Sequence, residues 1–163
     1  YDLILEAGAE FGIRLFGLRA LNALRLEKSY GSWSREYRPL YGPAEAGLER
    51  FVATGKAGEV IGKDAARAER EAGGALRLRT FVLAAKDADV IGDEPIYLDG
   101  AVRGWVTSGG YAHAAGLSVA VGYVPKEIAD VESGWSIELL GEMLPARLQP
   151  EPLFDPSGAR MRG

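Results

Sequence analysis

The sequence contains no cysteine and a single histidine, His113. Without cysteine there is no disulfide framework, no thiolate metal ligand and no cysteine nucleophile. One histidine also excludes a metal site built on two histidines, and we predict no metal. The absence of cysteine suits a reducing compartment, so we expect a cytoplasmic protein.

A long apolar run and an excess of positive charge are missing as well. No run approaches the roughly 20 residues that a membrane-spanning helix needs, and the N-terminus lacks a signal-peptide layout. The 19 Lys and Arg residues face 23 Asp and Glu residues, which gives a formal net charge of −4. Nucleic-acid binding needs concentrated positive charge. We therefore predict neither a membrane partner nor a nucleic-acid partner.

An initial methionine is absent too. The chain starts with YDLILEAGAEFG, a pattern typical of the middle of an amphipathic helix. A natural protein rarely starts in this way, and we expect a piece of a longer protein. The 163 residues, 47% of them hydrophobic, suffice for one domain or two small lobes.

Helical signals dominate the first part of the chain. The predicted elements are helices over residues 2–10, 17–30, 43–48 and 63–71, a buried extended link over residues 11–16 and a loop over residues 31–43. Gly12 is a predicted C-cap of the first helix. The pair Gly73-Gly74 ends the last helix, and we predict a boundary there.

After this boundary the pattern changes to short strands. The predicted strands cover residues 76–84, 96–98, 101–107, 117–124, 136–140 and 146–149. Asp99-Gly100 between two of them indicates a two-residue type I′ hairpin. About six short strands predict a small antiparallel barrel or sandwich.

The second helix carries the most informative side chain, Glu27. On a helical wheel of about 100° per residue, Leu18, Leu21 and Leu24 form an apolar stripe that we expect to face the core. Glu27 lies opposite, on the face of small alanines. A carboxylate there can accept two parallel N–H bonds from a fork-shaped donor. The alternative is that Glu27 pairs with an arginine or is solvated.

Four other features resemble sites, and each has a simpler interpretation. GEVIGKD (58–64) lacks the glycine spacing and the Ser or Thr of a phosphate loop. KDADVIGDE (86–94) lacks calcium ligands in register. His113 has no serine or carboxylate at a recognisable spacing and is predicted to lie in a loop. TSGG (107–110) could contact an anion through backbone N–H groups or simply allow a tight bend.

Several segments, taken in order, resemble one known family. FGLRALNALRLEKSYGSW, PAEAGL (43–48) and EVIGKDA (59–65) are similar to the C-terminal half of the aminomethyltransferase (glycine cleavage T-protein) family. GDEPIYLDGAVRGWVTSGGY, VAVGYVP and PARLQPEPLFDP resemble the terminal β-barrel of that family. Within it, the EK of LRLEKSYGSW and the TSGGY ending look most like the dimethylglycine and sarcosine dehydrogenase branch.

The resemblance implies an α+β fold in three parts. Residues 1–73 would be the C-terminal portion of a folate-binding α/β lobe. Residues 74–155 would form a small antiparallel Greek-key β-barrel, and residues 156–163 a tail. The partners would be the N-terminal FAD and folate domains of the same longer chain.

The resemblance also implies a function for the parent protein. An N-terminal FAD domain would oxidise an N-methyl group of a small methylated amine, and the folate domain would transfer the one-carbon unit to tetrahydrofolate. Glu27 would bind the pterin. Lys56 stands where the T-protein has an arginine, and lysine lacks that planar fork. Lys28 could meet the carboxylates of a polyglutamate tail.

The catalytic aspartate of the family lies in the N-terminal half, outside this chain. We therefore predict no catalytic residue here and no activity for this chain alone. Two alternatives stay open for the parent protein: a stand-alone aminomethyltransferase that receives its aminomethyl group from a lipoyl carrier, and a regulatory or folate-binding relative without turnover.

Overall fold

The computed structural model describes residues 1–162. Its helices are α1 (Asp2–Gly8), α2 (Leu18–Glu27), α3 (Lys63–Ala72) and α4 (Ala159–Arg162), with short 3₁₀ helices at Ala9–Phe11, Glu49–Phe51 and Lys126–Ile128. Its strands are β1 (Leu76–Leu83), β2 (Pro95–Leu98), β3 (Ala101–Ala112), β4 (Leu117–Pro125), β5 (Trp135–Leu139) and β6 (Glu142–Leu148). No helix among these residues is long and apolar enough to cross a membrane.

The strands close into an antiparallel barrel in the order β1-β4-β3-β2-β5-β6. Strands β2, β3 and β4 pair consecutively, and β5 returns to pair with the far side of β2. This order is a Greek key. The pairing of β6 with β1 closes the barrel and leaves no free sheet edge. The predicted α+β fold with a small Greek-key barrel is confirmed.

The barrel core follows from the alternation of side chains along the strands. In β1, Phe81 and Leu83 belong to the interior cluster with Ile96 and Ile137. Val82, which lies between them, belongs to a second cluster on the outer surface of the barrel, beneath α2. Because successive residues point to opposite faces of a sheet, the continuous apolar stretch of β1 contributes side chains to both the interior cluster and the outer cluster.

Tight backbone geometry explains the β2–β3 hairpin. Asp99 (φ 50°) and Gly100 (φ 79°) both have positive φ, and Leu98 faces Ala101. Positive φ at both central residues is the conformation of a type I′ turn, so the predicted hairpin is confirmed. Strand β3 runs past the predicted end at Thr107, because TSGGY continues the pairing with β4.

The helical predictions are partly confirmed. Gly12 (φ 67°) ends the first helical segment and Gly73 (φ 78°) ends α3, as predicted. The predicted helix over residues 43–48 is wrong, since this segment forms turns that precede a 3₁₀ helix. The second helix is shorter than predicted, because Ser29 has a left-handed backbone conformation (φ 53°) that a right-handed helix cannot contain.

Two predictions of burial near the N-terminus are wrong. The link over residues 11–16 is exposed, with Phe11 at 82% and Phe16 at 64%. The stripe of Leu18, Leu21 and Leu24 is also exposed, at 83%, 49% and 52%. Helix α2 packs on the barrel through another face, whose centre is Leu26. The stripe therefore has no partner among residues 1–162.

Candidate functional site

The candidate site is built around Glu27, the last residue of α2. The Glu27 side chain is buried, with the residue 4% exposed, and its Oε1 accepts a hydrogen bond from the backbone N–H of Ala114 at 2.7 Å. The carbonyl oxygen of Glu27 accepts the N–H of Phe154 at 3.0 Å. Glu27 thus joins α2, the β3–β4 hairpin and the C-terminal tail. Among the described residues, no arginine pairs with its carboxylate.

The second carboxylate oxygen of Glu27 keeps its acceptor capacity. In the part of the chain that the structure describes, Oε2 has no hydrogen-bond partner, and every fully buried side-chain N or O atom has one. Oε2 therefore keeps a small solvent-accessible area, although the residue as a whole is buried. Since a carboxylate offers about four lone-pair sites, one bond to Ala114 leaves room for a further donor.

The side chain of Lys28, the next residue, binds the C-terminal tail. Its Nζ donates to the carbonyl oxygen of Asp155 at 2.6 Å and to Asp155 Oδ2 at 3.2 Å. Burial alone raises the pKa of Asp155, but the hydrogen bond from Lys28, the N–H groups of Arg160 and Ala159 and the Lys28 charge lower that pKa overall. Lys28 supplies positive charge beside Glu27 and holds the tail in place.

Lys56 lies elsewhere, in the exposed loop between the 3₁₀ helix Glu49–Phe51 and α3. Its carbonyl oxygen accepts a hydrogen bond from Lys63 Nζ at 2.6 Å. Glu27 and Lys28 are adjacent, and among the described residues Lys56 makes no direct hydrogen bond or ion pair with either of them.

A large groove lies next to Lys28. Its volume is about 1070 Å³, and its lining includes Lys28, Tyr30, Arg50, Phe51 and Thr80. Neither Glu27 nor Lys56 lines it. No cluster of three or more His, Cys, Asp or Glu side chains suited to a metal ion occurs in the described residues.

A buried ion pair beneath α2 was missed by the sequence analysis. Glu36 is fully buried, and its Oε2 accepts Arg25 Nη1 at 3.0 Å and the N–H of Ser32 at 2.6 Å. Its Oε1 accepts the Thr107 hydroxyl at 2.7 Å. Arg25 Nη2 donates to Ser108 Oγ at 2.8 Å. No local spacing in the sequence indicates this pair, because Ser108 and Thr107 lie far from Arg25 and Glu36 along the chain.

The TSGG stretch is explained by this docking of α2. Thr107 and Ser108 bond Glu36 and Arg25. A Cβ atom on Gly109 would overlap the carbonyl oxygen of Val90, and one on Gly110 would lie 3.3 Å from Leu26. These glycines let a loop and the helix approach β3 closely. The glycines of this segment therefore allow close packing, and its two polar side chains form hydrogen bonds with Glu36 and Arg25.

Two models of protein families match the chain. Residues 77–155 match the glycine cleavage T-protein C-terminal barrel domain, and residues 1–56 match the GCVT N-terminal domain. The chain belongs to the aminomethyltransferase (glycine cleavage T-protein) family. Within the family it lies near the dimethylglycine and sarcosine dehydrogenases.

The relatives of this aminomethyltransferase-family chain are much longer than the chain itself. The human mitochondrial dimethylglycine dehydrogenase is 42% identical over 153 residues, covering 94% of this chain and 18% of the relative. The human mitochondrial sarcosine dehydrogenase is 31% identical over 170 residues, covering 100% of this chain and 18% of the relative. The chain thus spans about a fifth of these dehydrogenases.

A solved structure has the same fold. The glycine cleavage system aminomethyltransferase T from Bartonella henselae superposes with a TM-score of 0.78, covering 95% of this chain and 44% of that chain. The sequence identity is 20%. At that identity the match supports the fold alone.

Proposed function

We propose that the chain is the C-terminal region of a folate-dependent oxidative demethylase of the dimethylglycine/sarcosine dehydrogenase type. In this proposal the chain helps to bind tetrahydrofolate, which receives the one-carbon unit. FAD and the methylated amine are bound by parts of the longer protein outside this chain, and the protein is cytoplasmic. The family membership and the similarity to two dehydrogenases support the proposed reaction and cofactors, whereas the cytoplasmic location rests on the sequence alone.

The observation that carries the proposal is the state of the Glu27 carboxylate. It is buried, its Oε1 is held by Ala114, and its Oε2 keeps a small solvent-accessible area. A pterin presents a ring N–H beside an exocyclic amine, which makes a fork of two donors. Oε2 has acceptor capacity for one of these donors, and a preoriented carboxylate accepts a donor at low entropic cost.

Lys28 and Lys56 remain part of the proposed site with different contributions. Lys28 adds positive charge close to Glu27 while its ammonium group stays bound to Asp155. Lys56 would meet an anionic part of the folate only if its loop reaches the ligand. We therefore expect a smaller effect of substituting Lys56 than of substituting Glu27.

The decisive experiment is a tetrahydrofolate titration by calorimetry on the full-length parent protein. Glu27→Gln keeps the shape of the side chain but loses charge-assisted bonding of roughly 1.5–3 kcal/mol. We expect the affinity to fall about tenfold or more. Glu71→Gln on α3, which changes an exposed glutamate, is the matched control and should bind like the wild type.

The other outcomes separate the alternatives. Unchanged binding by Glu27→Gln would contradict the assignment of Glu27. A wild-type protein that binds no folate would contradict the whole proposal and favour a regulatory relative. A stand-alone aminomethyltransferase is the second candidate, because the chain belongs to the aminomethyltransferase family. The parent would then lack a flavin domain, and its absorption spectrum and length would reveal this.

A further inference from the structure

Helix α2 is attached to β3 at two places that lie close together on the helix. At one, the Arg25 guanidinium bonds Ser108 and Glu36. At the other, Glu27 bonds the N–H of Ala114 beyond the end of β3. Between them, Leu26 packs against Ala112. The contacts therefore follow the strand in one direction, from Ser108 towards the hairpin.

This geometry makes the position of the Glu27 carboxylate sensitive to the register of α2. A strand advances about 3.4 Å per residue, so a slip of one residue would break a hydrogen bond of ordinary length. Leu26 alone cannot prevent such a slip, because apolar contacts are not directional. Hydrogen bonds with fixed partners can. The Glu27 carbonyl and Lys28 bond the C-terminal tail, and the nearest side-chain bond from α2 to strand β3 itself is that of Arg25 to Ser108.

Glu36 gives these bonds their rigidity. Its two carboxylate oxygens are held by Arg25, Ser32 and Thr107, and its carbonyl oxygen accepts the Tyr123 hydroxyl at 2.8 Å. Glu36 is thus fixed to both β3 and β4 independently of α2. A fully buried carboxylate without its arginine would be an uncompensated charge, so separating Arg25 from Glu36 is strongly unfavourable.

We propose that the buried Arg25–Glu36 pair positions the Glu27 carboxylate, with Glu36 as a positioning residue for the ligand site. The pair locks α2 in the one register on β3 that brings Glu27 Oε1 to the N–H of Ala114 and leaves Oε2 for a ligand. The mechanical part of the proposal, that the pair fixes the register of α2 on β3, rests on the contacts alone. Its consequence for binding rests on the proposed folate function.

Hydrogen exchange measured by mass spectrometry on the full-length parent protein tests the mechanical part. Glu36→Gln keeps the side-chain shape, and Thr107→Val removes only the hydroxyl that bonds Glu36 Oε1 and the Val121 carbonyl. We expect exchange in a peptide covering residues 112–117 to accelerate about tenfold in both variants. Peptides from β5 and β6 should keep wild-type exchange.

The matched control is Tyr97→Phe. It removes a hydrogen bond of 2.8 Å to the Glu138 carboxylate, between β2 and β5 and away from α2. This variant should leave exchange at residues 112–117 unchanged. Equal acceleration of all strands in Glu36→Gln and Thr107→Val, or no acceleration at residues 112–117, would overturn the proposal. Thr107→Val keeps the test valid should Glu36→Gln fail to fold.

Folate titration of the same variants separates this inference from the proposed function. If the wild type binds folate, both variants should bind at least about fivefold more weakly, and Tyr97→Phe should bind normally. Accelerated exchange in a protein that binds no folate would support the positioning and contradict the function. Wild-type affinity in variants with accelerated exchange would overturn the link between the pair and the ligand site.

Discussion

Asp155 is the residue whose titration has the clearest structural consequence. Its carboxylate and carbonyl hold Lys28, and the net effect of its surroundings is a lowered pKa. A carboxyl group whose pKa is lower in the folded state stabilises the fold above its unfolded pKa, about 3.9 for Asp. That contribution is lost as the pH falls through the folded pKa.

We therefore predict that the tail loosens in acid through Asp155. Limited proteolysis should cut within residues 150–162 faster once the pH falls well below the unfolded pKa of about 3.9 than at pH 7, because the protonated carboxyl no longer pairs with the Lys28 charge. Asp155→Asn should be cut faster at pH 7 as well and should show little further change in acid. Asn tolerates the positive φ of this position (46°), so the variant tests charge. Glu151→Gln, an exposed neighbour, should behave like the wild type.

The same scale shows what spacing in a sequence can reveal about a site. Glu27 was selected because it stands on a helix with small neighbours and within a motif that resembles the family, and its role in binding stays a prediction. Arg25 and Glu36 were not recognisable, because their contacts with Ser108 and Thr107 join residues far apart in sequence. Only the closed barrel brings β3 beneath α2, and no local pattern encodes that approach.

At the scale of secondary-structure elements, the paired strands β3 and β4 approach each other so closely that two positions require glycine. A Cβ atom on Gly104 would overlap the carbonyl oxygen of Tyr123, and one on Gly122 would overlap that of Trp105. We predict that Gly104→Ala lowers the free energy of unfolding by roughly 1–3 kcal/mol, the usual cost of overpacking. Gly55→Ala should be neutral, because nothing lies within 4 Å of its Cβ position. Urea denaturation of the two variants measures both effects, and equal stabilities would contradict the prediction.

The strands were more predictable than the helices for a physical reason. Short apolar runs between turn residues specify strands locally, and Asp99-Gly100 specifies its turn by backbone geometry alone. Residues 43–48 contain good helix formers, yet this segment bonds to β1 through the Glu45 carbonyl and carboxylate. These tertiary bonds favour turns over a helix, and propensity cannot anticipate them.

At the scale of the whole molecule, the apolar surface near the N-terminus is the largest departure from the sequence-based expectation. A helical wheel identifies the apolar face of α2 but cannot say what covers it. Within residues 1–162, the barrel takes the face of Leu26, and the face of Leu18, Leu21 and Leu24 stays exposed. Phe11, Leu15 and Phe16 extend this surface along the preceding segment.

Such a surface should make this chain associate with itself. Burying a leucine side chain contributes about 1.5–3 kcal/mol, so several of them can hold two copies together. We predict that sedimentation velocity detects concentration-dependent association, and that Leu18→Glu combined with Leu21→Glu weakens it at least about tenfold. Ile61→Glu changes a fully exposed apolar residue in a loop outside this surface and should associate like the wild type. A wild-type chain that stays monomeric at high concentration would contradict the prediction and show that the leucine stripe is tolerated in water. Equal weakening by Ile61→Glu would mean that net charge, rather than this surface, controls association.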